Sequence, residues 1–434
     1  METAVRNLNS VSGALLLFLF DVQVRFVSEQ KEKRLTNTTK NKNRKHNSMN
    51  TKSIVLAGVL GLVLVNPASA VNYVYFTGST AARNSTVQTL LEVGAVFDSV
   101  TSHISQGNAT DYKASYQMIT GHLVGDAAGV VTTVKTHWSG SEGGIADLVG
   151  GTEQFLDDSA ANSLASATPG PFVSSPVDLA MADNDKAFSK NPGANITGAF
   201  VGIIPFKWVK QRGSLAGITN VTDSQIRVLL TGGAKAALIT GNSADTSYVY
   251  VTGRDSFSGT RVNSLGICGY GIFANPYQLK VAADGSMLDP DGSQTYVYYD
   301  NGSFYGYASG GDIATQMGYD LSQASSVDLV AGSGHFSVVA YLGYSDAASA
   351  IANGGVELAY NGIVESTANI QQGLYTFWGN EFIYKKNVGL SSQASSVFSK
   401  LAAGIGNHAD GTSFIGSGTM NAVRNGPTSD PVHL

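Results

Sequence analysis

Short runs of β-branched and aromatic residues alternate along this chain with amphipathic segments. The first run after residue 70, Val71 to Phe76, predicts a strand. A Gly/Ser/Thr turn follows, and the apolar spacing beyond it predicts a helix over 81–93 with Ser79 or Thr80 as its N-cap. The apolar positions of that helix are Val87, Leu90, Leu91 and Val93. The unit is therefore strand, turn, helix.

The same alternation continues along the rest of the chain. Further strands are predicted at 130–138, 177–181, 199–206 and 249–252, and helices are predicted to begin within 139–144 and 256–260. Strands that alternate with helices indicate an α/β protein with largely parallel sheets. Ligands of such sheets bind beyond the carboxyl ends of the strands.

The segment before residue 71 has the pattern of a leader. Residues 53–65 are apolar, Lys52 precedes them, and Ala68-Ser69-Ala70 has the form of a cleavage site. We predict a signal peptide over 49–70, translation from Met49, and a misassigned or disordered extension over 1–48. The alternative is that residues 13–20 and 53–65 form two weak membrane segments. Apolar runs of about 8 and about 13 residues are, however, too short to span a bilayer comfortably.

This leader predicts a periplasmic or secreted protein that starts near Val71. The cleavage site has no Cys, which excludes an N-terminal lipid anchor. The single cysteine of the chain, Cys268, also excludes a disulfide framework and a Cys-rich metal site.

Charge is unevenly distributed between the leader and the body. The 434 residues carry a net charge of −5, and only 14% of them are charged. Ten of the 27 Lys and Arg residues but only four of the 32 Asp and Glu residues precede Val71, so the body is near −11. A body of this charge argues against nucleic-acid binding.

Three turns share one chemistry. The segments 77–82, 139–144 and 256–260 are rich in Gly, Ser and Thr, and each lies between a strand and a helix start. The first N–H groups of a helix lack internal partners and carry partial positive charge, so three converging turns would bind a small oxyanion. Ordinary helix capping is the alternative explanation for any one of them.

Four short motifs, in this order, resemble those of the periplasmic phosphate-binding proteins of ABC transporters, the type II substrate-binding proteins. The matching stretches are Thr77-Gly78-Ser79-Thr80-Ala81-Ala82-Arg83, Gly140-Ser141-Glu142-Gly143-Gly144, Asp178-Leu179-Ala180-Met181-Ala182-Asp183 and Arg254-Asp255-Ser256-Phe257-Ser258-Gly259-Thr260. Residues 338–363 and 375–384 resemble the closing segments of the family more loosely.

The resemblance implies a two-lobe α/β fold with the ligand in a cleft between the lobes. One lobe would comprise 71–203 with 367–434, and the other 204–366. Ser141 would donate to the anion, Asp183 would accept from a protonated phosphate oxygen and so disfavour sulfate, and Arg254 would bind by a bidentate contact. The full set of implied ligand-binding residues is Ala81, Ala82, Arg83, Ser141, Asp183, Arg254, Ser258, Gly259 and Thr260.

Three departures from the family pattern fall within the motifs that would bind the ligand. Ala82 and Arg83 replace a Thr-Phe pair, so a hydroxyl is lost and a cation gained, unless Arg83 is a solvated surface residue. Ser256 stands where the family has an acid, and Glu142 where it has a small polar residue. Another oxyanion therefore remains an alternative to phosphate.

No motif favours an enzyme. The body has no G-x-S-x-G elbow, no H-E-x-x-H and no His pair at i, i+4, so we expect no catalytic residue, metal or cofactor. The expected partners are inorganic phosphate or a similar oxyanion and an ABC transporter permease, for a monomer that binds no nucleic acid. The rival hypothesis is an exported surface protein that keeps the fold without transport; the Tyr-rich stretch 295–307 would suit such a role.

Overall fold

The computed structural model describes residues 71–107, 110–127, 130–164, 168–288, 306–331 and 334–424. The predicted signal peptide at 49–70, the extension at 1–48 and most of the Tyr-rich stretch lie outside these residues. Among the described residues, no helix is long and apolar enough to cross a membrane.

The described elements alternate between strands and helices over most of the chain. The strands are β1 Asn72–Gly78, β2 Phe97–Gln106, β3 Tyr116–Leu123, β4 Thr132–His137, β5 Thr152–Leu156, β6 Phe172–Pro176, β7 Leu179–Ala182, β8 Ile196–Lys210, β9 Asn220–Val221, β10 Ala234–Lys235, β11 Tyr248–Thr252, β12 Phe336–Gly343, β13 Val356–Tyr360, β14 Trp378–Lys386 and β15 Ile415–Gly416. The α-helices are α1 Arg83–Leu91, α2 Ser141–Gly150, α3 Asp223–Leu229, α4 Ala237–Thr240, α5 Gly259–Ile267, α6 Gly310–Met317, α7 Tyr344–Ala352, α8 Thr367–Gln371 and α9 Ser392–Gly404. The predicted α/β alternation is confirmed.

One large mixed sheet carries the site. Its strand order is β10-β11-β12-β8-β14-β7-β1-β4-β3-β2, with β13, β9 and β15 attached to the side. β1 pairs in parallel with β4 and β7, and β11 pairs in parallel with β12, but β8 and β14 run antiparallel to their partners. The expectation of largely parallel sheets is therefore wrong, because the long-range antiparallel strands β8 and β14 join the parallel groups.

Strand β8 joins the two halves of the sheet. Its first part pairs with β14 over Ile196–Pro205, and its last part pairs with β12 over Phe206–Lys210. Ten consecutive residues, Val201 to Lys210, are buried, as expected for a strand covered on both faces. The α/β fold class is confirmed by this arrangement, and the residue limits of the two predicted lobes stay a prediction.

The Ser-, Ala- and Gly-rich segment 150–176 contains the hairpin β5–β6. The helix predicted over 81–93 begins at Arg83, and its N-cap is Ala82 without a side-chain cap. Ser79 and Thr80 therefore do not cap α1, in contrast to the prediction. Ser79 is buried instead, and its hydroxyl lies beside a glutamate of β14.

Candidate functional site

The carboxyl ends of β1, β4, β7 and β11 surround a cavity of about 550 Å³. Residues of all four motifs line it, including every implied ligand-binding residue except the buried Ala82. The lining is Ser79, Thr80, Ala81, Arg83, Asn84, Lys113, Gly140, Ser141, Asp183, Ile204, Arg254, Ser258, Gly259, Thr260, Gly343, Tyr344, Ser345, Asp346, Ala348, Ser349, Asp410, Thr412 and Ser413. The structure thus brings together motifs that lie up to 180 residues apart in the sequence.

Hydrogen bonds join the motifs to one another. Gly140 N donates to Gly78 O at 2.9 Å, and Glu142 N donates to Phe257 O at 3.0 Å. Gly78 adopts a φ of 110°, and a Cβ there would lie 2.0 Å from Met181 O. This turn is therefore restricted to glycine, because the first motif packs directly on the third.

Asp183 is the most enclosed charged group of the cavity lining. It is 2% exposed, and its Oδ1 accepts a 2.6 Å hydrogen bond from the hydroxyl of Ser141. Burial raises the pKa of Asp183 to about 6, although the Ser141 hydrogen bond and the charge of Arg254 oppose the rise. No described residue donates to Oδ2. That oxygen is the acceptor Asp183 offers to a ligand.

Arg254 is held by backbone carbonyls, which leaves one nitrogen of its guanidinium for the cavity. Its Nε donates to Tyr307 O at 3.2 Å and its Nη2 to Ala308 O at 2.8 Å. Nη1 has no hydrogen-bond partner among the described residues, and the residue is only 8% exposed. The side chain is therefore positioned before any ligand arrives.

Helix α5 presents its first turn to the cavity. Ser258 is the N-cap and accepts from Arg261 N at 3.3 Å. The N–H groups of Gly259 and Thr260 have no partner among the described residues. A helix start with free N–H groups favours an anion.

The start of helix α2 offers less than the sequence predicted. Glu142 N and Gly143 N both donate to Phe257 O, so the N–H of Ser141 is the one left toward the cavity. The Ser141 hydroxyl is engaged with Asp183. Ser141 therefore positions the Asp183 carboxylate, in addition to any contact of its own with a ligand.

Arg83 is half-buried and lines the cavity, so it is not a fully solvated residue. Burial lowers the pKa of its guanidinium to about 10, while the charge of Asp346 raises it. Its Nε is buried without a hydrogen-bond partner among the described residues. A cation held in this way adds to the positive potential of the cavity.

Glu142 points away from the cavity and into the protein interior. Its carboxylate accepts from Asn184 Nδ2 at 2.8 Å, from Lys190 N at 2.9 Å and from Ser189 Oγ at 3.2 Å. It fixes the loop that carries Asp183. His137 is also outside the lining, because its ring stacks on Tyr116 with centroids 4.1 Å apart.

Sequence reasoning missed several groups that line the cavity. Asp346 and the N-terminus of α7 lie there, and Gly343 at that N-cap position gives no side-chain cap. Lys113 and Asp410 lie there as well. Neither the start of α7 nor Lys113 lies in one of the three Gly/Ser/Thr-rich turns. Only the packing of the chain places them at the cavity.

Formal charge in the cavity lining is balanced. Three cations, Arg83, Lys113 and Arg254, face three acids, Asp183, Asp346 and Asp410. An anion therefore has to be held by oriented N–H groups and hydroxyls as well as by charge. Among the described residues, no group of three or more His, Cys, Asp and Glu side chains is arranged to hold a metal ion.

No protein-family model matches the chain, and no curated protein matches it. Solved structures with a similar fold include PstS from Borrelia burgdorferi, with 14% identity over 80% of this chain and 98% of that chain and a TM-score of 0.40. A putative phosphate ABC transporter substrate-binding protein with bound phosphate from Clostridium perfringens has 13% identity over 80% and 99% of the two chains and a TM-score of 0.43.

An ABC-type phosphate transport receptor from Vibrio cholerae has 13% identity over 76% of this chain and 93% of that chain, with a TM-score of 0.42. These identities and TM-scores describe a likeness of fold.

Proposed function

We propose that the protein captures a small oxyanion, most favourably inorganic phosphate, in this cavity and delivers it to an ABC transporter without covalent chemistry. The observation that carries the proposal is that Asp183 and Arg254 line the same cavity. One is a buried acceptor, and the other is a pre-positioned cation beside free helix N–H groups. A protonated oxyanion satisfies both, because its oxygens accept from the cation and the N–H groups while its O–H donates to the carboxylate.

Arg254 and helix α5 supply the donors. Nη1 of Arg254 and the N–H groups of Gly259 and Thr260 line the cavity with nothing else to bind among the described residues. Charge-assisted bonds of this kind are shorter and about twice as strong as neutral ones. The starts of α1 and α7 add uncapped helix ends.

Asp183 supplies the selectivity. A carboxylate oxygen that faces an anion is favourable only if the anion carries a proton to donate. Phosphate carries one or two protons near neutral pH, whereas sulfate carries none. We therefore expect Oδ2 of Asp183 to accept the phosphate O–H and to repel sulfate.

The proposed lobes contribute different parts of the site. Ser141 and Asp183 belong to the expected lobe 71–203, and Arg254 and Ser258 belong to the expected lobe 204–366. Closure of the lobes would remove the anion from water and strengthen each of these contacts.

Calorimetry on the purified full-length chain tests the proposal with phosphate, arsenate and sulfate. We expect phosphate and arsenate to bind and sulfate to bind far more weakly. Phosphate at 100 times its Kd should raise the free energy of unfolding by about 2.7 kcal/mol. Absence of any heat or thermal shift with all three anions would contradict the proposal and favour an exported surface protein that has kept only the fold.

A further inference from the structure

A second buried carboxyl lies behind the cavity, on strand β14. Glu381 is 0% exposed, and its Oε2 lies 3.3 Å from the hydroxyl of Ser79, which lines the cavity. Its Oε1 is buried without a hydrogen-bond partner among the described residues. An ionised carboxylate with a single hydroxyl contact is costly in such a place.

Within the part of the chain that the structure describes, the groups that act on Glu381 include no cation. Ser79 follows β1, Gly202 lies opposite on β8, and Asp183 follows β7. The negative charge of Asp183 raises the pKa of Glu381, and the negative charge of Glu142 of α2 raises the pKa of Asp183. Burial, with the negative charge of Asp183 in addition, raises the pKa of Glu381 well above its usual range, while the Ser79 hydrogen bond opposes the rise.

The backbone beside Glu381 is irregular. The pairing of β14 with β8 shifts register between Glu381 and Phe382, so β8 has one extra residue there. Bulges of this kind re-aim side chains and are frequent next to functional sites. The shift occurs at the residue that reaches toward Ser79.

The hydroxyl of Ser79 has two alternative arrangements. Its Oγ already accepts a hydrogen bond from Ala81 N at 3.2 Å. A neutral Glu381 donates its O–H to the remaining lone pair of Ser79, and the Ser79 hydrogen then points into the cavity. An ionised Glu381 accepts the Ser79 hydrogen, and the cavity loses that donor.

We propose that Glu381 is a positioning residue that controls anion binding through Ser79. In its neutral form it directs the Ser79 hydroxyl toward the anion. In its ionised form it withdraws that hydroxyl and places a second negative charge beside Asp183. The proposal rests on the oxyanion function proposed above, and it predicts that binding at alkaline pH takes up a proton at Glu381.

The test compares the wild type with Glu381→Gln by phosphate calorimetry on the full-length chain between pH 6 and 9. The glutamine amide donates to Ser79 as the neutral acid does, but it cannot ionise. We expect equal affinities at every pH below the pKa of Glu381, where both side chains are neutral. Above the pKa of Glu381, the wild type should lose affinity relative to the variant by up to about tenfold per pH unit.

The comparison cancels the titration of phosphate, because both proteins bind the same ligand. Asp183 interacts with Glu381, so a difference in the titration of Asp183 between the two proteins also reports the charge of Glu381. Calorimetry in two buffers of different ionisation heat should show that the wild type takes up more protons on binding than the variant. Parallel pH profiles with equal proton uptake would overturn the proposal. So would a variant that folds but binds weakly at every pH.

Ser79→Ala gives an independent measurement with a small cavity-lining change. We expect it to weaken phosphate binding below the pKa of Glu381, where the hydroxyl faces the anion, and to weaken it much less above that pKa. An equal loss of affinity at every pH of the series would refute the role of Ser79. If the wild type binds no phosphate at any pH, the proposed function fails as well, which separates that result from parallel profiles.

Discussion

A methyl group at position 259 has no room in the candidate site. Gly259 is the first residue of α5, and an ideal Cβ there would lie 1.5 Å from Asp183 Oδ1 and 2.6 Å from Ser141 Oγ. Ordinary contacts between such atoms are about 3.5 Å, so the carboxylate has to move by roughly 2 Å. Gly259→Ala therefore displaces the proposed phosphate acceptor without removing any polar group.

Two opposing effects set the expected magnitude. Replacing a helical glycine by alanine stabilises a protein by about 0.5–1 kcal/mol when the methyl group fits. Loss of the buried hydrogen bond from Ser141 to Asp183 costs about 1.5–3 kcal/mol, because the acceptor is charged. The loss from the displaced hydrogen bond is larger than the gain in helix propensity, so we expect Gly259→Ala to lower the free energy of unfolding by about 1–2 kcal/mol. Phosphate affinity should fall at least tenfold, or about 1.4 kcal/mol.

Urea unfolding and phosphate calorimetry measure the two quantities. Gly311→Ala is the matched control, since it is the second residue of α6 and its Cβ would meet only Ser309 Oγ, at 3.7 Å. We expect that variant to be as stable as the wild type or up to about 1 kcal/mol more stable, with unchanged phosphate affinity. A Gly259→Ala protein that gains stability and binds phosphate like the wild type would refute the packing argument.

Three further predictions concern the charged groups. Arg254→Ala should weaken phosphate binding about 100-fold or more in calorimetry. Arg212, whose side chain is 57% exposed and lies 3.4 Å from Asp320, gives the control, and Arg212→Ala should change the affinity less than twofold. Similar affinities for both variants would show that the phosphate site lies elsewhere. Asp183→Asn should weaken phosphate and strengthen sulfate, so that their affinity ratio changes at least about tenfold, and an unchanged ratio in competition calorimetry contradicts the selectivity mechanism. The pKa of Asp183 rises from 3.8 unfolded to about 6 folded, so the folded state holds the proton longer and stability falls as pH rises through that window. Between pH 4 and 7, the free energy of unfolding of the ligand-free wild type, measured with urea, should fall by up to about 3 kcal/mol relative to that of Asp183→Asn. If the free energies of both proteins change equally with pH, the raised pKa of Asp183 is refuted.

Several features of the site could be predicted from the sequence because they depend on local patterns. Apolar periodicity predicted β1, β4, β7 and β11 and the starts of α2 and α5. Since β1 pairs in parallel with β4 and β7, the residues that follow these strands have to meet at one edge of the sheet. The convergence of the first three motifs follows from that geometry alone.

The tertiary structure decided which atoms remain available at that edge. The pattern G-S-E-G-G cannot show that Glu142 turns inward to hold Ser189, or that Ser141 donates its hydroxyl to Asp183. Phe257 O occupies two N–H groups of α2 only because the turn after β11 packs on the start of α2.

Asp346 and Glu381 were beyond the reach of sequence reasoning for the same reason. Neither lies in a turn with a recognisable composition, and each reaches the site across more than 80 residues of chain. The sequence by itself determined the alternation of elements and the turns that end the strands, since these depend on neighbouring residues. Burial, proton positions and the balance of charge in the cavity were decided by the packing of distant strands, which sets the surroundings of each polar atom.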